Sequence, residues 1–221
     1  PDMATMLAFI ATDANIEKVI LEKILLDAVK KSFNRITVDG ETSTNDSCVL
    51  IATCKASNEC IDNSKTKEYE LLKKSIMDIF CELSQAIIRD GEGATKFINI
   101  KVVGGKKETE CTDVAFKIAE SPLVKTAFTA SDANWGRILS AIGNSGIDDL
   151  DINSVEVHIE SLCIIENGQR SSSYTEKKAK KIMLQDEIKL LVNLNRGGCH
   201  EEVWTTDLSH EYITINAGYR T

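Results

Sequence analysis

Thr5, in the opening stretch PDMATMLAF, has the residue type and the position for covalent chemistry. A threonine hydroxyl is a weak nucleophile unless a base stands beside it. One solution is the α-amine of the same residue, once that residue is first in its chain. Such an amine titrates near about 7.7 to 8.0, which suits proton transfer at neutral pH. For Thr5 to become first, the Ala4–Thr5 bond must break. The hydroxyl can attack the Ala4 carbonyl, move the acyl group from nitrogen to oxygen and leave an ester for water to hydrolyse. The competing reading is a β-branched packing residue in an apolar strand. Glu92, in GEGATK, reads from its residues as part of a solvated turn, although Gly91 and Gly93 beside it allow an unusual backbone.

Other motif-like stretches fail on their mechanics. GGKKET lacks the GxxxxGK[ST] spacing of a phosphate loop. Neither DGETSTND nor DGEGATK places glycine at the sixth position of a calcium loop, so both read first as turns. GxSxG is absent, and no Cys/His pair sits in a thiol-protease context. His158, His200 and His210 are scattered and imply no metal. The seven cysteines are odd in number and contain no CxxC pair, which points to reduced thiols in a cytosol-like compartment.

The elements that must position Thr5 and Glu92 alternate along the chain. TMLAFIATDA reads as a buried strand, followed by a helix capped by Asp13 or Asn15, with Val19, Ile20, Ile24, Leu25, Val29 and Phe33 on one face. DGETSTND is a turn before the strand CVLIATC. A second helix carries Leu71, Leu72, Ile76, Ile79, Phe80, Leu83, Ile87 and Ile88 as a core stripe and stops at RDGEGATK. The strand FINIKVVGG follows, then a helix near Cys111 to Glu120 that Ser121-Pro122 should end. NWGRILSAIGNSG is a further helix ended by Gly143 or Gly146. SVEVHIESLCIIENGQ, EIKLLVNLNRGG and HEYITINAGYR are expected strands, with a short charged helix around Tyr174 to Met183. The sum is an α+β fold, a mixed-sheet layered sandwich, treated as one unit with two subdomains as an alternative.

The 221 residues carry 34 acidic and 26 basic side chains, a formal charge of -8. That field repels a phosphate backbone, and no Lys/Arg stripe offsets it, so nucleic acid is not an expected partner. No apolar run reaches the roughly 18 to 20 residues of a membrane helix, so no membrane association is expected. With 43% hydrophobic and 27% charged residues the chain is of globular composition. It begins at Pro1 with no initiating methionine, as expected for a piece of something longer.

Taken together, MATMLAFIATDA, DGETSTND, DGEGATK, SDANWGRI and the terminal HEYITINAGYRT occur in this order across the whole chain. The set resembles the bifunctional ornithine/glutamate N-acetyltransferases of arginine biosynthesis, a family with a layered fold of the N-terminal-nucleophile type. In that family a precursor cleaves itself between Ala and Thr, and the new N-terminal threonine of the β chain carries the acetyl group. The resemblance implies that residues 1–4 are the tail of an α chain and residues 5–221 the β-chain region.

It further implies that Ala4–Thr5 is the cleavage site, that Thr5 is the catalytic nucleophile, and that Thr5, Glu92, Asn216 and Thr221 bind substrate. The reaction would move acetyl from N2-acetylornithine to glutamate in a ping-pong cycle, without a metal or organic cofactor, with acetyl-CoA as a conceivable further donor substrate. The oxyanion donors would come from a Thr-Gly pair of the α chain, within a cytoplasmic α2β2 heterotetramer. Two departures stand out: Gly218 where an acidic residue is expected, and Glu41 in place of aspartate. Asp39, Asn45, Asp132, Asn134 and Arg137 are open between substrate binding and plain turn or cap roles. An N-terminal-nucleophile amidohydrolase or aminopeptidase, and a non-catalytic chain that binds a small amino acid, are the alternatives.

Overall fold

A computed structural model describes residues 6–42 and 45–218. In chain order its first half contains β1 (Leu7–Thr12), α1 (Lys18–Lys31), β2 (Ile36–Thr37), β3 (Ser47–Ala52), α2 (Lys67–Arg89) and β4 (Phe97–Gly105). Helices α3 (Glu108–Ala119), α4 (Pro122–Thr129) and α5 (Trp135–Gly143) follow. Then come β5 (Glu156–Ile159), β6 (Leu162–Glu166), β7 (Gln169–Arg170), α6 (Glu176–Met183), β8 (Glu187–Asn193), β9 (Cys199–Thr206) and α7 (His210–Gly218). The chain forms two compact units, one of residues up to Ile36 with Glu41–Ile87, the other of Thr37–Gly40 with Ile88 onwards.

In the first unit β1 and β3 pair in parallel, Phe9 opposite Val49 and Ala11 opposite Ile51. They form a sheet of two strands among the described residues. Alternation sends Ala8 and Ile10 inward, while Leu7 and Phe9 on the other face are 66% and 68% exposed. Ile24 and Ala28 of α1 and Ile76 and Phe80 of α2 are buried, and the Phe33 and Phe80 rings meet at 5.4 Å between centroids.

Two expectations need correction here. Neither Asp13 nor Asn15 caps α1: its N-cap is Glu17, with no side-chain bond, and the Asn15 N–H is instead taken by Asn58 Oδ1 at 3.0 Å. The apolar stripe of α2 is wider than one core face, for Leu71, Ile79 and Leu83 point outward and are exposed.

In the second unit the sheet runs β2-β9-β4-β8-β5-β6-β7. β4 lies parallel to β8 and antiparallel to β9, with Ile100 opposite both Leu190 and Val203. These residues, with Ile98, Val102, Ile188 and Val192, face Cys111, Val114, Ala115 and Ile118 of α3 and Ile138 and Ile142 of α5 in one core. Each buried Val, Leu or Ile among them stabilises the fold by about 1.5 to 3 kcal/mol relative to exposure. The other face carries Asn99, which donates to Glu202 Oε1 at 2.5 Å.

Ser121-Pro122 does more than end α3. Ser121 Oγ accepts from the Val124 N–H at 3.4 Å, so proline occupies the first turn of α4, where its missing N–H costs nothing. The terminal segment also departs from expectation. CHEEVWTT, unassigned in the sequence, is β9, paired between β2 and β4, and HEYITINAG is a helix where a strand was expected.

Candidate active site

Glu92 sits in the turn between α2 and β4. The Ala94 N–H donates to the Gly91 carbonyl at 3.0 Å and closes it. Gly93 has φ of +64°, and a Cβ there would stand 2.5 Å from the Tyr212 nitrogen and 2.9 Å from Ser209 Oγ. Conformation and close approach both demand glycine. Gly91 has no such φ, and a Cβ there would come no nearer than 3.3 Å to any atom outside its immediate chain neighbours, so only one of the two glycines uses its freedom. The Glu92 side chain is exposed and makes no hydrogen bond or ion pair among the described residues.

The segment linking β9 to α7 grips that turn. Asp207, 2% exposed, accepts the N–H groups of Thr95 at 2.8 Å and Lys96 at 3.0 Å, and the Thr95 hydroxyl at 2.6 Å. The hydroxyls of Thr129 and Thr206 stand 2.9 and 3.2 Å from the same carboxylate. Burial alone would push the Asp207 carboxyl up, but these donors, Thr95 foremost, outweigh it and hold the carboxyl below its ordinary range. Ser209 Oγ donates to the Gly93 carbonyl at 2.7 Å and accepts the Tyr212 N–H at 3.3 Å. That acceptance starts α7 as an N-cap does.

Lys125 anchors the end of β9 from below. It is 3% exposed, and its Nζ donates to Thr205 Oγ1 at 2.9 Å and to the Thr206 carbonyl. Burial pushes its amine down to about 8 against the opposing pull of Asp207, Asp39 and Glu120. Tyr212 Oη in turn donates to Asp39 Oδ2 at 2.8 Å. One turn further along α7, Asn216 Nδ2 donates to the Tyr212 carbonyl at 3.0 Å, and the residue is exposed.

Of the sequence-derived site residues, Glu92 and Asn216 thus stand on segments joined through the contacts of Gly93 with Ser209 and Tyr212. Ala4, Thr5 and Thr221 lie outside the described residues. In SDANWGR, Asn134 Oδ1 accepts the Arg137 N–H at 3.2 Å as the N-cap of α5, and Arg137 donates to the Leu123 carbonyl at 2.8 Å. Those contacts are architectural, and Asp39 serves as the acceptor for Tyr212. Sequence reasoning missed Asp207, Ser209 and Lys125. The one local signal was Ser209 directly before the acidic first turn of α7, an N-cap pattern hidden by the alternating Tyr-Ile-Thr-Ile that follows.

The arrangement can present the Glu92 carboxylate and the Asn216 amide from a held frame, a combination that suits an amino-acid substrate bearing an ammonium and polar groups. Among the described residues no group of three His, Cys, Asp or Glu is placed to hold a metal ion.

Comparison with known proteins agrees across the whole length. The ArgJ family model matches residues 1–221. The "Arginine biosynthesis bifunctional protein ArgJ" of Pseudomonas fluorescens (strain Pf0-1) is 50% identical over 221 residues, covering 100% of this chain and 55% of that protein. The protein of the same name from Psychrobacter arcticus is 52% identical, with 54% of its length covered. The chain therefore spans about half the length of the curated relatives it matches. A crystal structure of arginine biosynthesis bifunctional protein argJ from Bacillus halodurans superposes with a TM-score of 0.92 at 38% identity, covering 97% of this chain and 100% of that one. The fold is accordingly the α+β architecture of that protein, of N-terminal-nucleophile type. With its family model matched from the first residue to the last, the chain belongs to the ArgJ family.

Proposed function

We propose that this chain is the nucleophile-bearing part of an acetyltransferase of arginine biosynthesis that moves acetyl from N2-acetylornithine to glutamate. The observation that carries the reading is the Ala4–Thr5 pair near the start of the sequence, in a chain matched throughout by the ArgJ family. Cleavage at Ala4–Thr5 gives Thr5 a free amine. That amine takes the hydroxyl proton as Oγ attacks the acetyl carbonyl, and returns it to the leaving ornithine amine. Glutamate's amine then attacks the threonine ester and Thr5 is restored. Glu92 pairs with the substrate ammonium, and Asn216 and Thr221 hold its remaining polar groups. The cycle needs no metal or organic cofactor, and acetyl-CoA is a second candidate donor for the same ester.

Division of the precursor is supported by the Bacillus halodurans chain, which this one covers end to end while covering only about half of the curated relatives. The remaining half is the proposed partner and the source of the oxyanion donors, in an α2β2 assembly. Parallel sheets need both faces covered, yet β1 and β3 expose Leu7, Phe9, Val49 and Ile51 on one face of a two-stranded sheet. A neighbouring layer from the upstream half satisfies that face. None of the seven cysteines is paired in a disulfide, which fits the cytoplasmic site of action proposed here.

The test is transfer by the full-length protein. Acetyl labelled on N2-acetylornithine should appear on glutamate, with initial rates showing the parallel lines of a ping-pong cycle. Release of free acetate with no labelled N-acetylglutamate would make the enzyme a hydrolase and overturn the reading.

A further inference from the structure

The turn around Glu92 is held far more firmly than a solvated turn requires. Ser209 fixes the Gly93 carbonyl at 2.7 Å, and Asp207 fixes the N–H groups of Thr95 and Lys96 at 2.8 and 3.0 Å. On the other side the Gly91 N–H returns to the Ile88 carbonyl at 3.3 Å, the last turn of α2. Asp207 is buried and ionised, with its lone pairs taken by donors, so its fixation costs desolvation that only a demanding geometry justifies. The turn carries two exposed carboxylates that bond to nothing among the described residues, Asp90 and Glu92, and the restraints on the Gly93 carbonyl and on the Thr95 and Lys96 N–H groups lie on the Glu92 side of it.

We propose that Asp207 and Ser209 are the positioning residues of Glu92: they set its carboxylate in register with the first turn of α7, so that turn and helix receive the amino-acid substrate as one rigid element. The claim rests on the reading of Glu92 as a substrate-binding carboxylate. Neither residue touches substrate. Lys125 completes the support by fixing Thr205 and the Thr206 carbonyl immediately before Asp207. A carboxylate free to swing by an ångström loses most of its advantage as a preformed partner for an ammonium group.

The test is a double-mutant cycle in the full-length enzyme. Glu92→Gln, Asp207→Asn and Ser209→Ala should each lower kcat/KM by roughly ten- to hundredfold. In the Glu92→Gln background, Asp207→Asn and Ser209→Ala should change kcat/KM by less than about twofold, because the residue they position is already disabled. Ser209→Thr, which keeps the hydroxyl, should restore most of the loss. Melting curves separate unfolding from misplacement, and Ser209→Ala carries the test if Asp207→Asn fails to fold. Equal fold-losses in both backgrounds would overturn the positioning role while leaving Glu92 in place. Wild-type kinetics for Glu92→Gln would overturn both the role of Glu92 and that of the pair.

Discussion

Tyr212 and Asp39 are 173 residues apart in sequence and joined by a hydrogen bond of 2.8 Å from the phenol to Oδ2. The bond fastens the start of the C-terminal helix to the head of DGETSTND. Helix α7 has no buried residue, so polar contacts and its Ser209 cap do the holding that an apolar face does elsewhere. Tyr212→Phe should therefore leave the melting temperature nearly unchanged, a loss of about 1 kcal/mol or less. Amide exchange in α7 should accelerate, and the Michaelis constants for both amino-acid substrates should rise together. Unaltered exchange and kinetics would reduce the bond to a surface contact.

Gly93 and Gly91 flank the same carboxylate but differ in what they demand. Gly93→Ala meets both a φ of +64° and a backbone nitrogen at 2.5 Å, so we expect destabilisation of at least about 1 to 2 kcal/mol and a large loss of turnover. Gly91→Ala, whose new Cβ meets its nearest non-adjacent atom at 3.3 Å, should be tolerated within about 1 kcal/mol. Denaturant melts beside steady-state kinetics decide the contrast. Equal effects would mean that the turn is not locked against α7.

The amine of Lys125 is pushed down to about 8 by burial, below its value in the unfolded chain. The unfolded state then binds more protons between about pH 8 and pH 10.4, so stability rises with pH through that window. Measured against Lys125→Met, which lacks the titration, wild type should gain up to about 3 kcal/mol from pH 8 to pH 10.4. A flat difference across that range would show Lys125 to titrate normally.

The exposed face of β1 and β3 gives a separate expectation. Phe9 is 68% exposed, so Phe9→Lys combined with Leu7→Lys should do little to the packing of this chain itself. In the full-length protein it should break co-purification of the two halves after cleavage, whereas Glu82→Lys on α2 should not. Intact co-purification of the double variant would place the contact elsewhere.

Much of this fold is legible because local rules and packing agree. The Asn134 cap of α5, the strand β4 and the α2-to-β4 turn at Glu92 follow from residue type and period. Where the two disagree, sequence reading fails. Tyr-Ile-Thr-Ile in α7 alternates like a strand, but a serine cap and a helix penalty of only tenths of a kcal/mol per β-branched residue let the helix form. CHEEVWTT hides an interior strand, β9, behind the two charged residues Glu201 and Glu202. Pro122 stops one helix by opening the next. Glu92 is singled out only through the resemblance that GEGATK carries, whereas Asp207 acts on Thr95 from 112 residues away, a pairing that no local pattern announces.

The central claim is that Thr5 carries the acetyl group. Full-length enzyme incubated with N2-acetylornithine alone, quenched in acid and digested, should yield a peptide beginning at Thr5 with one acetyl group on its hydroxyl, and added glutamate should discharge it. An enzyme that turns over both substrates yet shows no acetyl on Thr5, or a Thr5→Ala variant that still accumulates an acetylated chain, would contradict the account.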